Sequence, residues 1–87
     1  MQKEIVVLNN QTGLHARPAS EIAKIAMNYD CEVSLNFNGK KINAKSPLMI
    51  MAAGIKTKTE LIIECNGEGE KEAIEELRKA FENNFKE

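Results

Sequence analysis

A single histidine lies in the stretch Gly13–Ala19, where its neighbours can give it a chemical role. His15 is followed by Arg17 and Pro18, and Gly13 precedes it by two positions. Imidazole is a nucleophile that attacks phosphorus without a metal ion and forms a phosphoramidate, which is covalent catalysis by histidine. A guanidinium two residues away can share the negative charge of the transferred group. The residue types therefore indicate phosphoryl chemistry at His15.

The elements around this histidine predict an anion site. Apolar residues recur at three-and-four spacing from Ala16 to Met27, as in an amphipathic helix, and Pro18 suits its first turn. His15 then occupies or adjoins the N-cap, where backbone N–H groups and the helix dipole attract anions. We take His15 and Arg17 as the catalytic residues, and Ala16 with Arg17 as the residues that bind the phosphoryl group. The competing interpretation of His15 is an ordinary helix cap.

The features of an enzyme that uses its own small-molecule donor are missing from the sequence. No G-x-x-x-x-G-K-[ST] segment is present to hold a nucleotide, and no carboxylate cluster is present to hold magnesium. We therefore expect no cofactor and no metal. A protein that accepts a phosphoryl group but binds no donor molecule must receive it from another protein. This predicts a phosphocarrier with a covalent phosphohistidine rather than a stand-alone enzyme.

Length and composition predict one small domain over residues 1–87, with 43% apolar and 29% charged residues. Twelve basic against thirteen acidic side chains give a net charge of -1, which argues against a nucleic-acid binder. No apolar run is long enough to insert in a membrane, and the first residues do not resemble a signal peptide. We expect a cytoplasmic chain, in which Cys31 and Cys65 act as small apolar side chains.

The remaining pattern predicts an α+β fold in the order β-α-β-β-α-β-α. The predicted strands cover 5–8, 32–37, 41–44 and 61–65, and the predicted helices cover 16–28, 47–53 and 73–85. Asn38-Gly39 is a two-residue hairpin turn, and polar residues with glycine at 9–13, Thr12 among them, form a turn before the first helix. We expect an open-faced β-sandwich, with a four-stranded antiparallel sheet and three helices on one face.

Ser46 is the second candidate for a functional role. Ser46-Pro47 is typical of a helix start, with the hydroxyl as N-cap and proline at the first helical position. A regulatory phosphate on Ser46 would also lie at a helix N-terminus. The short helix that follows is unusually apolar, so we expect some of its side chains to be exposed and to contact partners.

These segments together resemble the histidine-containing phosphocarrier family, HPr, of the bacterial phosphotransferase system. Gly13–Ala19 resembles the family's phosphorylation site, Asn38-Gly39-Lys40 its central hairpin, and Lys45-Ser46 with the apolar helix its regulatory serine segment. The likeness spans essentially the whole chain, including its length and element order. It implies that His15 accepts a phosphoryl group at Nδ1 from phosphorylated enzyme I and passes it to a histidine of a sugar-specific IIA domain. It also implies that Arg17 stabilises the group in both complexes.

The resemblance has further implications for regulation and for partners. An HPr kinase/phosphorylase would phosphorylate Ser46, and the product would bind a catabolite repressor protein. The implied partner surface consists of Ser20, Lys24, Met27, Pro47, Leu48 and Met51. Relatives regulated at this serine often carry Ile-Met after it, whereas this chain has Pro47-Leu48, and Pro47 removes a backbone donor.

Two alternatives to the carrier remain at this stage. One is a regulatory binding module that acts only through Ser46 in carbon catabolite control, without sugar transport. The other is a small RNA-binding sheet, which needs exposed aromatic residues on its strands, and only Phe37 lies on a predicted strand. We expect a monomer, because no long apolar stripe is left over. The sequence identifies neither the sugar nor the IIA partner.

Overall fold

The computed structural model describes residues 1–11 and 13–86, so Thr12 of the predicted turn lies outside the described residues. The elements follow the predicted order, with a short 3₁₀ turn after the last helix. The strands are β1 (Gln2–Val7), β2 (Glu32–Phe37), β3 (Lys40–Asn43) and β4 (Glu60–Asn66), and the helices are α1 (Ala16–Met27), α2 (Pro47–Ala52) and α3 (Glu70–Glu82). The predicted α+β open-faced sandwich is confirmed.

The four strands form one antiparallel sheet in the order β1-β4-β2-β3. The hairpin between β2 and β3 turns at Asn38 and Gly39, whose φ angles of 54° and 77° are those a type I′ turn requires. β4 lies between β1 and β2, so that Ile62 is opposite Ile5 and Ile63 is opposite Leu35. The last strand in the chain is therefore an inner strand, and β1 and β3 are the edges.

One face of the sheet is apolar because side chains alternate along each strand. From the strands, the buried apolar residues are Val6, Val33, Leu35, Ile42, Leu61, Ile63 and Cys65. From the helices, they are Pro18, Ala19, Ile22, Ala23 and Ala26 of α1, Ile50 of α2, and Ala73, Ile74, Leu77 and Phe81 of α3. Full burial of a large aliphatic side chain contributes about 1.5–3 kcal/mol, so this layer is the main source of stability.

Both ends of α1 differ from the predicted apolar face. Ala16 and Met27 have the spacing of buried positions, yet both are exposed. The reason is that only the middle of the helix, from Pro18 to Ala26, is buried, so the terminal turns reach solvent. The exposed first turn carries the candidate site.

Two further positions differ from the sequence-based expectation. α3 ends at Glu82 instead of reaching Phe85, because Asn84 and Phe85 have positive φ angles of 52° and 54° that no helix accommodates. The Phe85 ring is nevertheless buried and meets Phe81 edge-on, with the ring centroids 4.9 Å apart. Ser34 alternates with Val33 and Leu35 along β2, which predicts an exposed side chain, yet it is buried, with Asn43 of β3 and Glu64 of β4 as its partners on either side.

The two cysteines are unbonded to each other and buried, as predicted. Burial, followed by the neighbouring thiol of Cys31, raises the pKa of Cys65 to about 12. The thiolate is the reactive form of cysteine, and it is scarcely populated at neutral pH when the pKa is so high. Cys65 is therefore a packing residue of the sheet.

Glu70 connects the start of α3 to the N-terminus of the chain. Its carboxylate accepts a hydrogen bond from the Gly67 N–H at 2.9 Å and forms an ion pair with the Met1 ammonium group at 2.9 Å. The Gly67 hydrogen bond, and after it the contacts with that ammonium group, hold the pKa of Glu70 below its usual value. The ionised form of Glu70 is therefore the one that stabilises the fold.

We expect Glu70→Gln to lower the free energy of unfolding at neutral pH and to flatten its decline in acid. A lowered pKa means that the stabilisation is present above the unfolded-state value of about 4.5 and is lost as pH falls through the folded-state value. Denaturant titrations between about pH 7 and pH 3 measure this difference. Glu72→Gln is the control, since Glu72 is exposed in the same first turn. Parallel pH profiles for wild type and Glu70→Gln would contradict the assignment.

Candidate functional site

His15 is the N-cap of α1, as the sequence predicts. Its backbone is extended, with φ -92° and ψ -162°, and its carbonyl accepts the first intrahelical hydrogen bond from Ala19 N–H at 3.0 Å. The side chain makes no capping hydrogen bond to the first turn, and the residue is exposed. The imidazole therefore stands at the protein surface beside the positive end of the helix, and the interpretation as an ordinary side-chain cap does not describe it.

Two backbone N–H groups lie ahead of the hydrogen-bond ladder of α1. Pro18 has no N–H, and the helix's own hydrogen bonds begin at Ala19, so the amides of Ala16 and Arg17 precede the ladder. No acidic residue lies in this turn to offset the helix dipole. Binding of a phosphoryl group by Ala16 and Arg17, in the way that helix N-termini bind phosphate, stays a prediction.

The guanidinium of Arg17 is anchored to the C-terminal turn. Arg17 Nη1 donates a hydrogen bond to the Phe85 carbonyl at 3.1 Å. The Phe85 ring is buried and contacts Phe81, so the residue that provides this acceptor is packed into the core. A guanidinium has five N–H donors, so a bond to Phe85 is compatible with others to phosphoryl oxygens. The contact between Arg17 and Phe85 was not predictable, because the two residues are 68 positions apart and no motif joins them.

An open cleft of about 650 Å³ lies next to His15. Its lining includes Leu14, His15, Met51, Ile55 and Lys56. The Leu14 N–H donates to the Ile55 carbonyl at 3.0 Å, which ties the loop before α1 to the segment after α2. Lys56 is exposed and adds a cation to the cleft. The place of Lys56 in this cleft was not predicted, because nothing in the sequence around it marks a site.

The predicted partner residues lie on α1 and α2, which pack against each other. On α1 the exposed residues are Ser20, Lys24 and Met27, at spacings of four and three that put them on one side of the helix. Of the predicted partner residues on α2, Leu48 is exposed, while Pro47 and Met51 are half-buried. The side chains of Met27 and Leu48 are 68% and 76% exposed, and such apolar exposure is typical of protein-binding surfaces. Met49, which the sequence analysis did not single out, is 49% exposed.

Ser46 caps α2, as predicted. Its Oγ accepts a hydrogen bond from the Met49 N–H at 3.2 Å, and Pro47 occupies the start of the helix. The preceding Lys45 donates from Nζ to the Tyr29 carbonyl at 2.8 Å, which ties the start of α2 to the end of α1. The Ser46 hydroxyl is thus already engaged in holding α2. Its role as a phosphorylation site stays a prediction.

The site is built from an imidazole, a guanidinium and backbone amides. Within residues 1–11 and 13–86, no three His, Cys, Asp or Glu side chains come together as a group that could hold a metal ion. Across that same part of the chain, every helix is too short or too polar to cross a membrane.

Comparisons with known proteins agree on one family. Residues 2–83 match the family model described as the PTS HPr component phosphorylation site. The phosphocarrier protein HPr of Buchnera aphidicola subsp. Schizaphis graminum is 41% identical over 78 residues, which are 90% of this chain and 91% of that protein. The crystal structure of HPr-C-His from Thermoanaerobacter tengcongensis is 33% identical, with a TM-score of 0.95 over 100% of this chain and 98% of that one.

A solved structure of Crh, the Bacillus subtilis catabolite repression protein, is also similar. It is 36% identical, with a TM-score of 0.76 over 97% of each chain. That structure is described as a domain-swapped, intertwined dimer.

We expect Ser46→Ala to lower the free energy of unfolding by about 1 kcal/mol, since the substitution removes the N-cap acceptor of α2. Denaturant unfolding followed by circular dichroism measures the change. Ser20→Ala is the matched control, because Ser20 is exposed within α1 and alanine is the better helix former. Equal stability of Ser46→Ala and wild type would show that the cap contributes nothing.

Proposed function

The chain belongs to the HPr family of phosphotransferase-system phosphocarriers, and from that premise we propose that His15 accepts a phosphoryl group from phosphorylated enzyme I and passes it to a histidine of a sugar-specific IIA domain. One observation carries the proposal. The only histidine of the chain is exposed at the N-cap of α1, where it makes no capping bond and the Ala16 and Arg17 amides precede the helical ladder. This is the position a surface phosphohistidine needs.

The reaction exchanges one nitrogen–phosphorus bond for another. The lone pair of an imidazole nitrogen of His15, Nδ1 by family resemblance, attacks the phosphorus of the donor phosphohistidine. The bond from phosphorus to the donor ring breaks, and its electron pair returns to that ring. The same step, with the roles exchanged, passes the group to the next histidine. Neither direction requires water or a nucleotide.

In this proposal, a small set of groups stabilises the negative charge of the transferred phosphoryl group. Phosphoryl transfer has a loose transition state with charge on three equatorial oxygens, so it depends on alignment and electrostatics. The amides of Ala16 and Arg17 follow His15 at the start of α1, and the Arg17 guanidinium is the third donor that the proposal assigns to the phosphoryl oxygens. The bond from Arg17 to Phe85 limits the freedom of the side chain and so favours its alignment. A carrier must also release its cargo, and a site open to solvent with few donors suits that requirement.

The partner surface of the proposed carrier is the exposed side of α1 and α2. It comprises Ser20, Lys24, Met27, Pro47, Leu48 and Met51. Residues 1–58 carry eight basic and four acidic side chains, which favours acidic partner surfaces around the apolar contacts. Lys56, in the cleft beside His15, belongs to the same positive part of the chain. We place the protein in the cytoplasm, where its protein donor would be loaded from phosphoenolpyruvate.

A regulatory module that acts through Ser46 in catabolite control is the second candidate, and the likeness to Crh favours it. Phosphorylation of Ser46 by an HPr kinase/phosphorylase would place acceptor oxygens at the start of α2, where the Met49 N–H now donates to the hydroxyl, but Pro47 leaves one donor fewer there for a phosphate. We therefore rank this candidate, with its catabolite repressor partner, below the carrier. The monomer expectation stays a prediction, since the Crh structure is described as a dimer.

We expect His15→Ala to abolish labelling from phosphoenolpyruvate and enzyme I, because it removes the proposed nucleophile. The measurement is gel detection of the phosphorylated protein before and after mild acid, which cleaves phosphohistidine and spares phosphoserine. Ser46→Ala is the control and keeps the acid-labile label. Acid-labile label on His15→Ala would end the carrier proposal, and acid-stable label on wild type, formed only with ATP and a kinase, would favour the regulatory module.

We expect Arg17→Ala to slow transfer from enzyme I by about 10²-fold, as for other positioned charge stabilisers. Rapid-quench kinetics with excess phosphorylated enzyme I give the rate. Arg17→Lys is the matched variant: it keeps the charge but loses the planar fork, so its rate should lie between the other two. A wild-type rate for Arg17→Ala would show that the guanidinium takes no part.

A further inference from the structure

We propose that Asn10 is a positioning residue for phosphoryl transfer, whose buried carboxamide fixes the backbone that presents His15. This inference rests on the carrier function proposed above. Asn10 is only 2% exposed, and its Nδ2 donates to the Gly13 carbonyl at 2.7 Å. The sequence analysis counted Asn10 only as a polar turn residue, which would leave its side chain in solvent. The structure instead turns it inward, under the loop that leads to His15.

The Gly13 carbonyl connects Asn10 to His15 through two hydrogen bonds on one oxygen. Asn10 Nδ2 donates to that oxygen at 2.7 Å, and the His15 backbone N–H donates to it at 3.1 Å. The second bond spans two residues and closes a γ-turn centred on Leu14. A γ-turn is a small unit that depends on the direction of its acceptor. Asn10 sets that direction, and so sets the angle at which the chain enters α1.

The other side of the same loop is held by the segment after α2. Gly13 has a φ of 75°, and a Cβ at this position would lie 2.8 Å from the Ile55 carbonyl oxygen. The Leu14 N–H donates to that oxygen at 3.0 Å, and the Leu14 side chain is buried. Asn10 and Ile55 thus each form a hydrogen bond with the backbone of Gly13 or Leu14, while His15, the next residue, is exposed. Such an arrangement restricts the His15 backbone and leaves its side chain accessible.

The burial of Asn10 is consistent with a positioning role. Within residues 1–11 and 13–86, it is one of two polar or charged residues that are buried, the other being Ser34 in the sheet. A buried carboxamide destabilises the fold unless hydrogen bonds replace those it made with water. The Gly13 bond is short, so the amide is well placed to keep this carbonyl fixed. Phosphoryl transfer depends on the alignment of the reacting groups. A displacement of the Gly13 carbonyl that moves His15 should therefore lower the rate of the chemical step.

Two variants of Asn10 test the inference. Asn10→Ala removes the donor, and we expect kcat for acceptance from phosphorylated enzyme I to fall about 10-fold with KM unchanged, because the partner surface is intact. Asn10→Asp keeps the shape of the side chain. Its carboxyl group can donate to the Gly13 carbonyl when protonated and repels that oxygen when ionised. Burial raises the pKa of such a carboxyl, so the rate of Asn10→Asp relative to wild type should fall as pH rises through that pKa.

The controls separate positioning from a general loss of stability. Ile74→Ala removes a buried side chain of α3 and lowers stability without touching the loop, so it should transfer at the wild-type rate when fully folded. Folding of every variant is checked by circular dichroism at the assay temperature. Equal slowing of Asn10→Ala and Ile74→Ala would overturn the inference. If Asn10→Ala does not fold, Asn10→Asp provides the test. The inference is then overturned when the rate of Asn10→Asp relative to wild type does not change with pH.

Failure of the inference is distinguishable from failure of the carrier function. If wild type accepts no phosphoryl group from phosphorylated enzyme I, the proposed function is wrong. If wild type accepts the group and the Asn10 variants match it in kcat at every pH, the function stands and the role of Asn10 is wrong.

Discussion

The backbone entering α1 is held by hydrogen bonds from several directions, and the site depends on them. Asn10 Nδ2 donates to the Gly13 carbonyl, and the Leu14 N–H donates to the Ile55 carbonyl. The His15 carbonyl then accepts the first hydrogen bond of the helix. Pro18 restricts the backbone of the first turn and has no N–H that would need an acceptor. The result is an exposed histidine on a backbone that has little freedom. The sheet and the other helices serve mainly to keep these acceptors in place.

The charged and polar groups of the site are few. The amides of Ala16 and Arg17 follow His15 at the start of α1, and Lys56 lines the same cleft as His15. Arg17 donates to the Phe85 carbonyl, and this bond restricts where its guanidinium can lie. An enclosed pocket with many donors would hold phosphate strongly, which suits an enzyme that keeps its ligand. An open site with few donors suits a protein that accepts a group and gives it away.

Much of the fold was predictable because its signals are local. Alternation along β2, the Asn38-Gly39 turn and the Ser46-Pro47 helix start each predict an element from neighbouring residues, and all three are confirmed. The position of His15 at the N-cap was predictable for the same reason.

The features that could not be predicted from the sequence are contacts between residues distant in the chain and residues with positive φ angles. The Arg17–Phe85 contact requires positive φ at Asn84 and Phe85, which no glycine signals. The inward orientation of Asn10 and the approach of Lys56 to His15 are consequences of tertiary packing between segments.

The most direct test of the account is phosphorus NMR on protein that carries isotopically labelled histidine and has been loaded by enzyme I and phosphoenolpyruvate. The account predicts a single phosphorus resonance that couples to one ring nitrogen of His15, Nδ1. A resonance with no coupling to nitrogen, as from a phosphate ester on Ser46, would contradict it, and so would the absence of any protein-bound phosphorus.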